Sequence, residues 1–202
     1  MNENFIIMIV IGFGLAFIIF IVKILPSLQK SVKEGMKKHQ QILKGLNEVA
    51  NRFNGEMTQV LGTPRAIHGK CQKHDLDIYF SPRGRYDSGI TIISLQYQGR
   101  LPHPITITPK IHFKKKTSST FDPFEFDENF KVKCKDKSII QSIIDSNMKL
   151  KILELAKIGR ITCISLQPQG VVFSATGWIT DKDMLSRAIS TVEEIVEKLE
   201  KI

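Results

Sequence analysis

"FDENFKVKCKD", residues Phe126–Asp136, decides how the C-terminal half of the chain is read. Within it Phe130, Val132 and Cys134 alternate with Lys131, Lys133 and Lys135. Successive strand side chains point to opposite faces, so the spacing predicts a half-buried strand with a lysine-lined outer face. Lysines there are a common protection for an exposed sheet edge. Asp136 or Ser138 can cap the helical run "SIIQSIID" that follows. A second short helix, Asn147 to Ile158, starts behind Ser146 and stops at Gly159. Phe121, Phe124 and Phe126 read as a plug where the preceding loop rejoins the core. The stretch is therefore a strand-to-helix junction and not a site.

Downstream, strands are expected at Arg160–Leu166 and Val171–Thr176, turning at "QPQG". The last helix carries one apolar stripe, Leu185, Ala188, Ile189, Val192, Ile195, Val196 and Leu199, behind a capping box of Thr180 and Asp183. Upstream, strands are expected at Glu56–Leu61, Arg65–Lys70, Asp75–Phe80, Ile90–Tyr97 and Ile105–Phe113, separated by segments rich in Gly, Pro and Ser. Such short connections favour antiparallel hairpins over parallel units with crossover helices. The fold class is α+β: an N-terminal transmembrane helix and a helical connector, then an antiparallel sheet with helices packed on one face.

The transmembrane expectation rests on "FIIMIVIGFGLAFIIFIV", Phe5–Val22, eighteen residues without a charge. That reaches the length of a membrane span, with Lys23 able to snorkel and Ile24 and Leu25 extending the run. A cleaved leader wants a basic start and a small-residue cleavage site, and "MNEN" before the run and Pro26-Ser27-Leu28 after it supply neither. Gly12 and Ala16 form a small-xxx-small pair through which two anchors could pack. The segments are thus 1–25 anchor, 26–54 basic helical connector and 55–202 α+β domain.

The chain carries +9, of which +5 falls in residues 23–52. A basic flank stays in the cytoplasm, which puts the short N-terminus outside and the C-terminal domain in the cytoplasm. Three cysteines, Cys71, Cys134 and Cys163, make no paired framework and suit a reducing compartment. In the connector, Leu25, Leu28, Val32, Ile42, Leu46, Val49 and Phe53 follow a 3–4 spacing. Gly35 and His39 interrupt it, so a coiled-coil homo-oligomer competes with an amphipathic connector whose last turns pack on the domain. Lys30, Lys33, Lys37 and Lys38 can rest on anionic headgroups, each worth about 1 kcal/mol near such a surface.

For chemistry the sequence offers little. His68, Cys71, His74 and Asp77, spaced by threes, are a weak metal quartet, since no second tight ligand pair follows. In a strand-turn-strand, residues three apart alternate faces, and these four then merely flank a hairpin. Asp75 and Asp77 share a strand face but have no nucleophile beside them. No nucleophile elbow, phosphate loop, dinucleotide fingerprint or metalloprotease motif occurs. Arg83, Arg85, Arg100, Lys114, Lys115 and Lys116 could converge as an anion-binding rim for phospholipid headgroups or nucleic acid. Only Tyr86 and Tyr97 could stack on bases nearby, so nucleic acid is not favoured. No cofactor is expected.

The order "FDENFKV", Asp136, the helical pair "SIIQSIIDSNMKLKILELA", two strands and a long helix resembles a group of prokaryotic membrane-tethered domains of unknown function. They share an F-[DN]-x-x-F-x-V strand, a nearby Asp, a short helical pair and a hairpin. The likeness covers Phe126–Ile202, with a fainter echo in "LPHPITITP". It implies an architecture and supplies no catalytic residue. The expectation is a single-pass membrane protein whose cytoplasmic domain recognises a protein partner. The alternatives are a binder of anionic lipid headgroups or nucleic acid, and a membrane-bound enzyme of unrecognised type.

Overall fold

A computed structural model of the chain describes residues 3–81, 89–99, 101–110, 123–158 and 160–202, with side chains from residue 27 onward except 123, 157, 158 and 160. Two compact units emerge, Met1–Leu43 and Lys44–Ile202.

The first is helical from Glu3. It forms most of α1, Glu3–Arg52. From residue 27 to 41 every side chain of this helix is exposed, Leu28, Val32 and Met36 among them. Those three follow one another at spacings of four and so line one face of the helix.

The second unit holds the last turns of α1, with Leu46, Val49, Ala50 and Phe53 buried. The helix ends in a Schellman arrangement. Asn54 takes the left-handed conformation (φ 48). The amide of Asn54 donates to the Asn51 carbonyl (3.1 Å) and that of Gly55 to the Ala50 carbonyl (2.8 Å). Strands β1 (Glu56–Val60), β2 (Thr63–Cys71), β3 (His74–Phe80) and β4 (Ile90–Gln96) follow, then β5 (Ile105–Pro109), α2 (Pro123–Asn129) and β6 (Phe130–Lys133). The chain closes with α3 (Lys137–Ile143), α4 (Ser146–Ile158), β7 (Arg160–Gln167), β8 (Gly170–Thr176) and α5 (Lys182–Leu199).

The eight strands form one antiparallel sheet in the order β1-β2-β3-β4-β8-β7-β5-β6. Alternation along the strands makes one face apolar. Ile67, Ile78, Ile93, Phe173, Ile164 and Ile107 are successive register partners across six strands, and all are buried. Against this side α5 packs on β4 and β8, and α4 packs on β7. The other face carries His68, Asp77, Ser94, Val172, Ser165 and Thr106 in the adjoining row.

The structure bears out the α+β class and refines several expected details. β6 is an edge strand, with Phe130 buried and Lys131 and Lys133 exposed. Its entry is a helix, α2, where a loop plug was expected. Phe126 is fully buried and stacks on Phe130 (5.1 Å between ring centroids), whereas Phe124 is 78% exposed. Phe121 lies outside the described residues. The N-cap of α5 is Asp181, one residue beyond the expected Thr180. Its carboxylate accepts from the Met184 amide at 2.9 Å, and the preceding turn is tied back by the Ile179 amide donating to Thr91 Oγ1 (2.9 Å). Asp145, and not Ser146, caps α4, accepting from the Met148 amide at 2.8 Å.

Candidate functional site

Strand pairing settles the fate of the histidine–cysteine quartet. β2 and β3 join through a two-residue loop, so His68 opposes Asp77 and Cys71 opposes His74. An odd spacing of three puts the two pairs on opposite faces. His68 and Asp77 stay on the open face, with Nδ1 and Oδ1 2.6 Å apart and the His68 ring edge-on to Tyr79 (5.6 Å). Cys71 and His74 turn inward and are buried. The four do not converge, and among the described residues no cluster of three or more His, Cys, Asp or Glu could hold a metal ion.

The paired aspartates are likewise engaged one by one. Asp77 holds His68, and Asp75 faces Lys70 across the hairpin at 4.0 Å with both side chains well exposed. The hydroxyl in the same row, Ser94, is the cross-strand partner of Asp77 and not of His68. A nucleophile, base and carboxylate in sequence are therefore not formed there.

Concavities among the described residues include two of similar size. One, about 500 Å³, sits where the β2–β3 turn, the end of β4 and the end of α5 meet, lined by Lys73, His74, Gln96, Gln98, Gln169 and Glu200 among others. Its wall is well tied. Lys73 Nζ lies 2.8 Å from Glu200 Oε2, and His74 Nε2 lies 3.6 Å from Oε1 of the same carboxylate. Tyr97 OH donates to the Gln167 carbonyl at 2.9 Å, and burial pushes its phenol pKa up. Beside it, burial and the neighbouring Glu193 carboxylate push the Cys71 thiol up to about 12, which leaves it a poor nucleophile. Amides and ion pairs of this kind suit reversible polar contacts.

The other, about 480 Å³, is a groove along α4 and α5 bordered by Arg52, Lys151, Glu154, Asp183 and Arg187. Its charges are of both signs, and Lys151 is already paired with Glu194. No single-sign ligand is favoured.

Lys30, Lys33, Lys37 and Lys38 are exposed on α1. Arg83, Arg85, Arg100, Lys114, Lys115 and Lys116 lie outside the described residues, as do the side chains of Phe5, Gly12, Ala16, Val22 and Lys23. Among the residues whose side chains are described, from 27 onward, no helix is long and apolar enough to cross a membrane. The expected span thus falls where only the helical backbone is described.

The β1–β2 turn, expected at Gly62-Thr63-Pro64, falls instead at Leu61-Gly62. Leu61 and Gly62, both at positive φ (50 and 73), form its two-residue loop. The signal was present in "VLGT", a two-residue gap with Gly second, but Leu is not a residue expected at such a position.

No family model matches the chain, and no curated protein does. Among solved structures, the chain is similar to the crystal structure of the mycobacterial trehalose monomycolate transport factor A, TtfA. The identity is 9% and the TM-score 0.49, over 78% of this chain and 94% of that one.

Proposed function

We propose that the chain is a single-pass membrane-tethered interaction module whose α+β unit recognises a protein partner at the cytoplasmic face. The observation that carries this reading is the uncharged run Phe5–Val22 followed directly by a basic segment. The recognition part draws support from the polar linings of the two concavities, where Lys73 and His74 face Glu200 and Lys151 faces Glu194. Three unpaired cysteines agree with a reducing compartment.

The test has two stages. Native membranes are washed with alkaline carbonate, and the chain should stay in the pellet with its C-terminus cleavable only from the cytoplasmic side. Crosslinked pull-down with the full chain should then recover one protein reproducibly. Release by carbonate sinks the tether, and recovery of lipid alone sinks the protein-recognition part.

A second reading is favoured by the exposed Lys30, Lys33, Lys37 and Lys38: binding to anionic headgroups through the connector. Its mark is an affinity for anionic vesicles that falls steeply between low and physiological salt.

A further inference from the structure

The tip of the β1–β2 hairpin combines two properties that the fold does not require of it. Leu61 is 100% exposed and Val60 is 51% exposed, so two aliphatic side chains face solvent side by side. Leu61 also sits at φ 50 as the first of two left-handed loop residues, with Gly62 at φ 73 as the second. Such loops take Asn-Gly or Gly-Gly because a branched aliphatic side chain is strained there. An exposed leucine held in strain points to selection for its side chain and not for its backbone.

The surroundings select among occupants. From Met57 to Lys70 the chain has no acidic residue, and Arg65 is the charge next to the loop. A register shift between Thr58 and Gln59 interrupts the regular pairing of edge strand β1 just before the tip. Tyr79, which is exposed, pairs with Ala66, roughly 10 Å back along the hairpin from Thr63 at strand rise. An apolar tip, then Arg, then Tyr is the order that a bilayer interface meets going outward, with acyl chains first and headgroups behind. A protein interface needs far more area than two side chains on a convex turn supply.

We propose that Val60 and Leu61 form a lipid-inserting tip through which the folded unit rests on the bilayer, with Arg65 and Tyr79 at headgroup level. The inference rests on the tethered reading above and adds a second membrane contact to it. A partner protein or a second copy seated on the tip is the competing outcome.

The full-length chain is reconstituted in vesicles of phosphatidylcholine and phosphatidylglycerol, with and without bromine on the acyl chains, and floated on a density gradient. In L61W, the emission added over the Trp178 background loses roughly half its intensity on brominated lipid, the expectation for a side chain that reaches the acyl boundary. In L61N, a residue that tolerates the left-handed turn relieves the strain, and the melting temperature rises by about 2–4 °C. Flotation with unquenched L61W emission overturns the tip alone and leaves the tether standing. Emission that is blue-shifted yet unquenched assigns the tip to a protein surface and also overturns it. Failure to float overturns tether and tip together. A lowered melting temperature in L61N makes Leu61 a structural residue and removes the argument from strain.

Discussion

Gly55 and Gly69 touch where the chain leaves α1 and crosses β2. A Cβ on Gly55 would come within 2.4 Å of the His68 carbonyl oxygen, and one on Gly69 within 2.7 Å of the Phe53 oxygen. The close approach is what lets the Lys70 amide donate to the Phe53 carbonyl at 2.7 Å. Backbone cannot move aside as a side-chain tip can, so Gly55→Ala is expected to destabilise the unit by about 1–3 kcal/mol, checked by urea denaturation. Asp145 is a second residue-scale device. The Lys198 ammonium, 2.6 Å away, holds its carboxyl below the usual carboxylate value of 3.8, helped by the Met148 amide. A lowered folded pKa means the unfolded state binds the proton more readily. The contribution is therefore complete at neutral pH and is lost as pH falls below 3.8 through the lower folded value. Asp145→Asn should lower stability at pH 7 and flatten the decline in that acid range, measured by melting temperature against pH.

At the scale of elements, α4 and α5 owe their starts to residues that periodicity does not reveal, Asp145 and Asp181. The stripe on α5 was legible from Leu185 to Leu199, and all seven expected positions are buried. The cap was not, because Thr180 and Asp181 are both good capping residues and the choice depends on how the preceding turn is held. Thr91, on β4, decides it by accepting the Ile179 amide and donating to the Gly177 carbonyl at 2.8 Å. Asp181→Ala should cost about 1 kcal/mol and Thr180→Ala less, the reverse of what a capping box at Thr180 would give. Thermal melts of the two variants side by side test this. The lysine alternation in β6 was read correctly as the mark of an edge. The short α2 before it was missed because seven residues are too few for a 3.6-residue repeat to stand out.

For the whole molecule, the sheet ties distant segments together. β4 and β8 are neighbours, and so are β7 and β5, which places the last hairpin between two strands that precede it by more than 50 residues. The end of α1 belongs to this unit, since Leu46, Val49, Ala50 and Phe53 are in its core. Lys182 fixes it further through Glu48, at 2.9 Å, whose carboxyl it holds low. A chain beginning at Lys44 should therefore melt cooperatively, whereas one beginning at Asn54 should show no sharp transition, because it loses four buried apolar side chains. Far-UV circular dichroism melts of both distinguish these outcomes. A cooperative melt from Asn54 would make the end of α1 dispensable.

The sequence by itself determined which segments are strands and which are long helices, because burial of one face imposes a period of two or 3.6 within a single stretch. Through "QKHD" it also determined that His68, Cys71, His74 and Asp77 flank a hairpin, since a short gap between alternating runs leaves little choice of partner. Only the tertiary structure decided that β8 lies against β4, that β1 is left as an edge, and that Val60 and Leu61 stand exposed at a tip. It also decided that Tyr97, His74 and Glu200 meet in one pocket. These depend on contacts between residues far apart in the chain, whose free energy is shared among many partners and leaves no local period to read.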